Sequence, residues 1–299
     1  MNSQHPKVIA CLPSYNAEQF IEKTLCCLQR QSYPNFEVLI SDDCSRDNTV
    51  HVIQSAIKDD ERFHLIKQSK NLGWVDNINL LMEKAVEMGK YVFIMPHDDQ
   101  IVPEYIEKLT DALEKNPNAA TAFGDMKLTS VTERTEIIRY DEVRGIQDRV
   151  ERTKSILRLK GIWTTAWRGV SRSEAVKKII PLKKNVAGTR DFILDWIWLV
   201  KLSLEGEFIT VPEVLYSKHF RKTSASVQWH ESNQNYLGSF FSCSFVLFRC
   251  SISWREQLIF QSIIYELIAK RIVIGTGLYS LFQRVKFLLQ KKSRQVHKS

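Results

Sequence analysis

Between residues 7 and 123 the chain repeats one pattern: a short apolar run, a polar turn, then apolar residues at helical spacing. The runs cover residues 7–12, 36–40, 63–66, 91–95 and 119–123, each of a length that suits a buried strand rather than a helix. Helical patterns lie between them. Residues 17–30 place Phe20, Ile21, Leu25 and Leu28 on one face, and Asp47-Asn48-Thr49 opens a second helix carrying Val50, Ile53 and Ile57. Residues 75–87 and 106–113 read as two more. Strands separated by helices pair in parallel, because each return needs a crossover, and the crossover helices cover both faces of the sheet. The pattern therefore predicts an α/β fold with a mostly parallel, Rossmann-like sheet. In such sheets ligands bind outside the carboxyl ends of the strands. Pro13-Ser14-Tyr15-Asn16, Asp42-Asp43, Asn71-Leu72-Gly73 and Asp98-Asp99 all fall at those ends.

The acid pair after the fourth run carries the sharpest chemistry. Adjacent carboxylates on the lip of a sheet offer hard oxygen ligands to Mg²⁺ or Mn²⁺, whose shell a substrate diphosphate completes. Alone, Asp-Asp after a strand is more often a turn or a helix cap. Three further polar clusters on the same rim shift the balance toward a site.

After about Lys127 the rhythm changes. Residues 129–145 are polar and read as loop or hairpin, 151–159 as a helix, and 161–169 are rich in Trp and Thr. Residues 193–204 form a strong helical pattern opening near Asp191 and Asp195. Residues 208–211 and 214–216 read as short strands, and from His230 onward the chain reads as helical. The expected division is a domain over 1–228, with halves 1–126 and 127–228, and a helical basic region over 229–299.

The formal net charge is +8, and its placement is uneven. From Phe240 on, ten Lys or Arg face only Glu256 and Glu266, so this block carries the whole excess. Helices with apolar faces followed by Arg284, Lys286, Lys291, Lys292, Arg294 and Lys298 suit an anionic membrane surface. A helix bundle with a solvated basic tail accounts for them equally well. Nucleic acid is not an expected partner, because the basic residues are not interleaved with stacking motifs. Residues 8–12 are too short for a signal-peptide core, and the apolar stretch 267–282 is interrupted by Lys270 and Arg271. The six cysteines lack CxxC or metal-ligand spacing, which fits a reduced, cytoplasmic chain. No strand is followed by GxGxxG, so a dinucleotide-dependent oxidoreductase is not expected. A sugar nucleotidyltransferase would need a Gly-rich, basic loop where Pro13–Asn16 stands.

Taken in order, these segments resemble the family 2 glycosyltransferases, whose nucleotide-sugar domain has the GT-A fold. The first run with Pro13-Ser14-Tyr15-Asn16 resembles the family's opening strand and its Pro-x-Tyr-Asn turn. Asp42-Asp43-Cys44-Ser45-Arg46-Asp47-Asn48-Thr49 resembles its Asp-Asp-x-Ser-x-Asp-x-Thr segment, and Asn71-Leu72-Gly73 with Asn79 its Asn-x-Gly turn and helix. Pro96-His97-Asp98-Asp99 stands in the place of the Asp-x-Asp motif. Asp195, then Gly206 and Val211-Pro212-Glu213-Val214-Leu215-Tyr216, resembles the segment bearing the catalytic base. Two positions depart from the pattern: Pro96 replaces the motif's first Asp, and Ile78 stands where an Arg often approaches the diphosphate.

The resemblance implies an inverting, metal-assisted transferase. It would move a sugar from a UDP-, dTDP- or GDP-sugar to a hydroxyl of a glycan or lipid-linked glycan, as in bacterial surface polysaccharide synthesis. It assigns donor binding to Pro13, Ser14, Tyr15, Asn16, Asp42, Asp43, Asn71, Gly73 and Asp98. Mn²⁺ or Mg²⁺ falls to Asp98, Asp99 and His219, and base catalysis to Asp195, with Asp191 one helical turn earlier in support. Tyr15 is expected against the nucleobase. Asp42 or Asp43 is expected to accept from the base or ribose, the other being free to cap the next helix. One or two of Trp163, Trp167, Trp196 and Trp198 are expected to meet the acceptor. The 1–126 half is then the nucleotide-sugar half and 127–228 the acceptor half, with the enzyme cytoplasmic or peripheral on the inner face of the membrane. Pro96 and Ile78 leave open a non-catalytic nucleotide-sugar or membrane-binding protein.

Overall fold

The computed structural model describes residues 5–158, 164–185, 193–221 and 232–275. The chain divides into two compact units, one of Met1–Lys184 with Leu194–Trp229, the other of Asn185–Ile193 with His230–Ser299.

The first unit is built on β1 (Val8–Ser14), β2 (Phe36–Asp42), β3 (Phe63–Lys67), β4 (Tyr91–Ile94), β5 (Gln100–Ile101), β6 (Ala119–Thr129), β7 (Thr135–Ile138), β8 (Val170–Arg172) and β9 (Glu207–His219). Their order is β3-β2-β1-β4-β8-β6-β9-β5, with β7 paired to β6. The β3-β2-β1-β4 half is parallel throughout, as the alternation predicts. Its inner strands are apolar and buried on both faces; Val8 to Leu12 are fully buried. The helices between them are α1 (Ile21–Gln29), α2 (Thr49–Ala56), α3 (Trp74–Met88) and α4 (Tyr105–Lys115), each with a buried apolar stripe. The second half carries α5 (Arg149–Leu157), α6 (Thr164–Trp167), α7 (Ser173–Lys177) and α8 (Leu194–Glu205). Strand β8 runs antiparallel to both β4 and β6, so it joins the two halves of the sheet.

Residues 208–211 and 214–216 prove to be one long strand. Gly124 pairs with Val211 but Asp125 with Val214, so Pro212 and Glu213 form a bulge. Proline has no N–H for the ladder and is confined to such places. The start of β9 is set by Gly206, where a Cβ would lie 2.6 Å from the Asn118 carbonyl oxygen. No side chain larger than hydrogen fits that approach.

The second unit pairs α9 (Asn233–Leu247) with α10 (Trp254–Gly275). Phe240, Cys243, Leu247, Phe260, Ile263, Ile264 and Ile268 are buried there. Ser244 and Gln261 tie the helices together, with the Ser244 Oγ to Gln261 Oε1 bond at 2.6 Å. Ser253 and Glu256 form a reciprocal cap at the start of α10: Ser253 N–H donates to Glu256 Oε2 at 2.8 Å, and Glu256 N–H to Ser253 Oγ at 3.3 Å. Asn185 and Ile193 group with these helices, a division that the sequence pattern does not reveal. Among the described residues, no helix is long and apolar enough to cross a membrane.

Candidate active site

The carboxyl ends of β1, β2 and β4 converge, because the register sets Ser14 beside Asp42 and Cys11 beside Ile94. The turn after β1 is fixed by the loop after β2. Asn16, with a positive φ of 46°, donates its N–H to Ser45 Oγ at 2.9 Å and accepts from Arg46 N–H at 2.9 Å. Tyr15 projects from this turn and stays 40% exposed, while its neighbour Ser14 is buried. An exposed ring on a clamped turn is a ready face for a flat ligand.

Asp42 and Asp43 hold the rim together. Asp42 accepts from Ser45 N–H at 2.9 Å and from Ser45 Oγ at 2.5 Å. Asp43 accepts from the N–H groups of Leu72 at 2.6 Å and Gly73 at 2.9 Å, and Asn71 Nδ2 donates to its carbonyl at 3.1 Å. Gly73 has φ 84°, a left-handed conformation that favours glycine. The Asn71–Gly73 turn is thus bound to the end of β2 by the second acid of the pair. Neither acid caps α2: Asp47 accepts from Thr49 N–H at 3.0 Å at its start. Each carboxylate has further lone pairs, but both side chains are nearly buried, at 1% and 3% exposed.

The loop from Pro96 to Asp99 is gathered by α1, where Thr24 Oγ1 lies 2.9 Å from the carbonyls of both His97 and Asp99. His97 Nδ1 is 3.3 Å from the Pro13 carbonyl oxygen, which links the loop to the tyrosine turn. The two acids then part company. Asp98 stays at the rim, where Arg221 Nη1 lies 3.2 Å from its Oδ2, and Arg221 also covers the Phe20 ring at 4.2 Å. Asp99 is fully buried. Its Oδ2 accepts from Arg168 Nε at 2.8 Å and from the Tyr216 hydroxyl at 2.7 Å, and Lys218 Nζ stands 3.8 Å from Oδ1. Burial alone would raise the Asp99 carboxyl, but Lys218 and Arg168 outweigh it and hold the group below its usual range. Burial pushes the Lys218 ammonium down. Asp195, at the start of α8, lies near enough for its charge to act on both Arg168 and Lys218. Its Oδ1 accepts from Trp196 N–H at 3.0 Å, as an N-terminal helix acid does.

Strand alternation explains which residues of β9 enter this cluster. Tyr216 and Lys218 lie two apart on one face and are buried, whereas His219 falls on the other. His219 Nε2 lies 3.1 Å from Glu133. The expected trio of Asp98, Asp99 and His219 does not assemble as a group: among the described residues no three His, Cys, Asp or Glu side chains are placed to hold a metal ion. What remains fits an ion held by one carboxylate, Asp98, and completed by substrate phosphates, rather than a protein-only cage.

The structure thus brings together Pro13–Asn16, Asp42, Asp43, Asn71, Gly73 and Asp98 on one rim, with Asp195 near the buried charges. Asp191 and Trp163 lie outside the described residues. Trp167, Trp196 and Trp198 are core residues. Trp196 donates to the Ile156 carbonyl at 2.8 Å, and Trp167 meets Trp198 edge to face at 5.3 Å. The residues that sequence reasoning missed are Arg168, Lys218 and Arg221. Ile78 is buried and supplies no charge, whereas these three cations lie beside Asp98 and Asp99. A depression of about 450 Å³ lies at the opposite end of β6 and β9, beside Asn118 and Gly206, remote from the rim.

Comparison with known proteins agrees with this architecture. Residues 9–171 match the sequence model described as glycosyl transferase family 2, more than half of the chain. The chain belongs to that family. It is 37% identical over 108 residues to a putative teichuronic acid biosynthesis glycosyltransferase, TuaG, of Bacillus subtilis, covering 36% of this chain and 42% of that protein. It is 29% identical over 121 residues to a GalNAc(5)-diNAcBac-PP-undecaprenol beta-1,3-glucosyltransferase of Campylobacter jejuni, covering 40% and 38%. The matched segment thus spans under half the length of these relatives. Among solved structures, S. aureus TarS 1-349 in complex with UDP-GlcNAc superimposes with a TM-score of 0.68 at 17% identity, covering 89% of this chain and 72% of that one. A mannosyltransferase of Pyrobaculum calidifontis in complex with GDP-Man and Mn²⁺ gives 0.58 at 13% identity, covering 96% and 81%. The fold is that of a GT-A glycosyltransferase with added C-terminal helices.

Proposed function

We propose that this glycosyltransferase inverts the anomeric centre of a nucleotide diphosphate-sugar as it passes the sugar to a hydroxyl of a glycan or lipid-linked glycan. The observation that carries the reading is the convergence of the Tyr15 turn, the Asp42–Asp43 clamp and Asp98 on one rim, with Asp195 close to the same charge cluster. The names of the two relatives, one for teichuronic acid biosynthesis and one for an undecaprenol-linked glycan, support a bacterial surface polysaccharide as the destination.

The base lies against Tyr15 and hydrogen-bonds to Asp42 or Asp43. The diphosphate lies over Asp98, Lys218 and Arg221. Lys218 is held near the rim by a buried anion, and Arg221 exchanges Asp98 for phosphate oxygens when donor arrives. Asp98 would hold Mn²⁺ or Mg²⁺ jointly with the phosphates, where such an ion offsets charge on the departing diphosphate. Asp195 accepts the proton of the acceptor hydroxyl as that oxygen attacks the anomeric carbon opposite the leaving group. A single base with in-line attack gives inversion.

The test is release of nucleoside diphosphate from a panel of UDP-, dTDP- and GDP-sugars, with Mn²⁺, Mg²⁺ or EDTA, by wild type and Asp98→Ala. Slow, metal-dependent release from one donor, lost in the variant, is the expected result. Tight binding of a donor with no turnover, even with acceptor glycans supplied, would favour a binding protein. Pro96 in the motif and Arg221 on Asp98 are the features that favour that second reading. Neither binding nor turnover of any donor would end the proposal.

A further inference from the structure

The helical pair of the second unit leaves an apolar surface uncovered. On α9 and its C-cap, Phe241, Phe245 and Phe248 recur at spacings of four and three and are each at least half exposed. On α10, Trp254, Leu258, Tyr265 and Ile272 recur at four, seven and seven, again each at least half exposed. Each set follows the helical repeat, so each forms one stripe along its helix. The α10 stripe alone runs about 27 Å at the α-helical rise. A single exposed Phe needs no explanation, but two stripes that include five aromatic side chains mark a surface built to be covered.

The charges beside the stripes identify what covers them. Arg249 sits over the Phe245 ring at 4.2 Å, and Arg255 over the Trp254 ring at 5.4 Å. Of the two acids, Glu256 is buried in the cap of α10, and Glu266 pairs with Lys270 at 2.5 Å. A contact between two copies of this face would set arginine against arginine, with both acids already engaged and none left to pair with them. The arginines suit a surface that is anionic above and hydrocarbon below, where rings enter the headgroup boundary and guanidinium groups meet phosphates. The sequence beyond α10 adds Arg284, Lys286, Lys291, Lys292, Arg294 and Lys298 and no acid, which continues the same complementarity. We propose that the exposed faces of α9 and α10 dock this protein flat on an anionic lipid bilayer, with Phe245, Phe248, Trp254 and Leu258 entering the interface. The inference rests on the second unit alone and stands whichever sugar the first unit transfers.

The experiment is cosedimentation of the full chain with phosphatidylcholine vesicles, with and without about one quarter phosphatidylglycerol, alongside size-exclusion chromatography without lipid. Wild type should bind the anionic vesicles and leave the zwitterionic ones, and binding should weaken as salt rises. The triple variant F245S/W254S/L258S should lose binding at least about a hundredfold, while its circular dichroism and melting stay unchanged because all three residues are exposed. Should that variant not fold, Trp254→Phe keeps the test, because quenching of tryptophan fluorescence by brominated lipid chains should then fall. Equal binding by wild type and triple variant, no binding by wild type, or a lipid-free wild-type dimer that the triple variant turns into a monomer would each overturn the proposal. The last would assign the face to a second copy of the chain.

Discussion

Replacing Asp99 by Asn keeps the side chain's size and removes its charge. In the wild type the carboxylate is fully buried, 2.8 Å from Arg168, 2.7 Å from the Tyr216 hydroxyl and 3.8 Å from Lys218. The amide leaves two buried cations facing one dipole, and its NH₂ points a donor at other donors. Breaking a buried pair by neutralising one partner costs about 3 to 5 kcal/mol. In a unit of this size that lowers Tm by roughly 6 to 20 °C. Calorimetry of the two proteins across pH gives the sign as well. The folded-state Asp99 carboxyl is held below its ordinary value, so its contribution is complete above about pH 4 and lost as pH falls through the folded value. The gap between wild type and variant should be flat from about pH 5 to 7 and close only in acid. Lys218 acts in the other window. Burial lowers its folded value, so stability rises with pH between that value and about 10.4. An Asp99→Asn protein that melts within about 2 °C of wild type would refute the reasoning. So would a gap that widens toward acid.

Three further perturbations separate the roles. Asp195→Asn should lower kcat about 10²- to 10⁴-fold while leaving the donor KM nearly unchanged, because the base acts on the acceptor; steady-state kinetics read both. Tyr15→Ala should raise the donor KM several-fold to tenfold with little change in melting, since an exposed ring's stacking is worth about 0.5 to 1.5 kcal/mol. Gly206→Ala should destabilise by about 1 to 3 kcal/mol in a urea titration, because its Cβ would meet the Asn118 carbonyl oxygen at 2.6 Å and the Ala120 nitrogen at 2.8 Å.

The parallel half of the sheet was legible because its signals are local. Each strand is a short apolar run, each ends in turn residues, and each crossover helix repeats its apolar residues at helical spacing. The rim followed from that, since the carboxyl ends of such strands are where ligands bind. The mixed half, where β9 runs parallel to β6 and β8 antiparallel, was harder to read. β8 is three residues long, too short to show a period, and the Pro212-Glu213 bulge broke β9 into two apparent strands. The parting of Asp98 from Asp99 could not be read at all. Adjacent acids look alike in sequence, and the partners that bury Asp99 come from 69 and 117 residues further on. Trp167, Trp196 and Trp198 could not be told from acceptor contacts for a related reason: an aromatic suits a sugar or a core, and only the packing of α8 against α5 and α6 decides.

The measurement that bears most directly on the central claim is the anomeric configuration of the sugar transferred, or slowly released to water, followed by ¹H NMR from the first turnovers. With an α-linked nucleotide-sugar the product should appear first as the β anomer, and its formation should stop in Asp195→Asn. A product that appears first as the α anomer, or that forms at an unchanged rate without the Asp195 carboxylate, would contradict a single-base inverting transferase built on this rim.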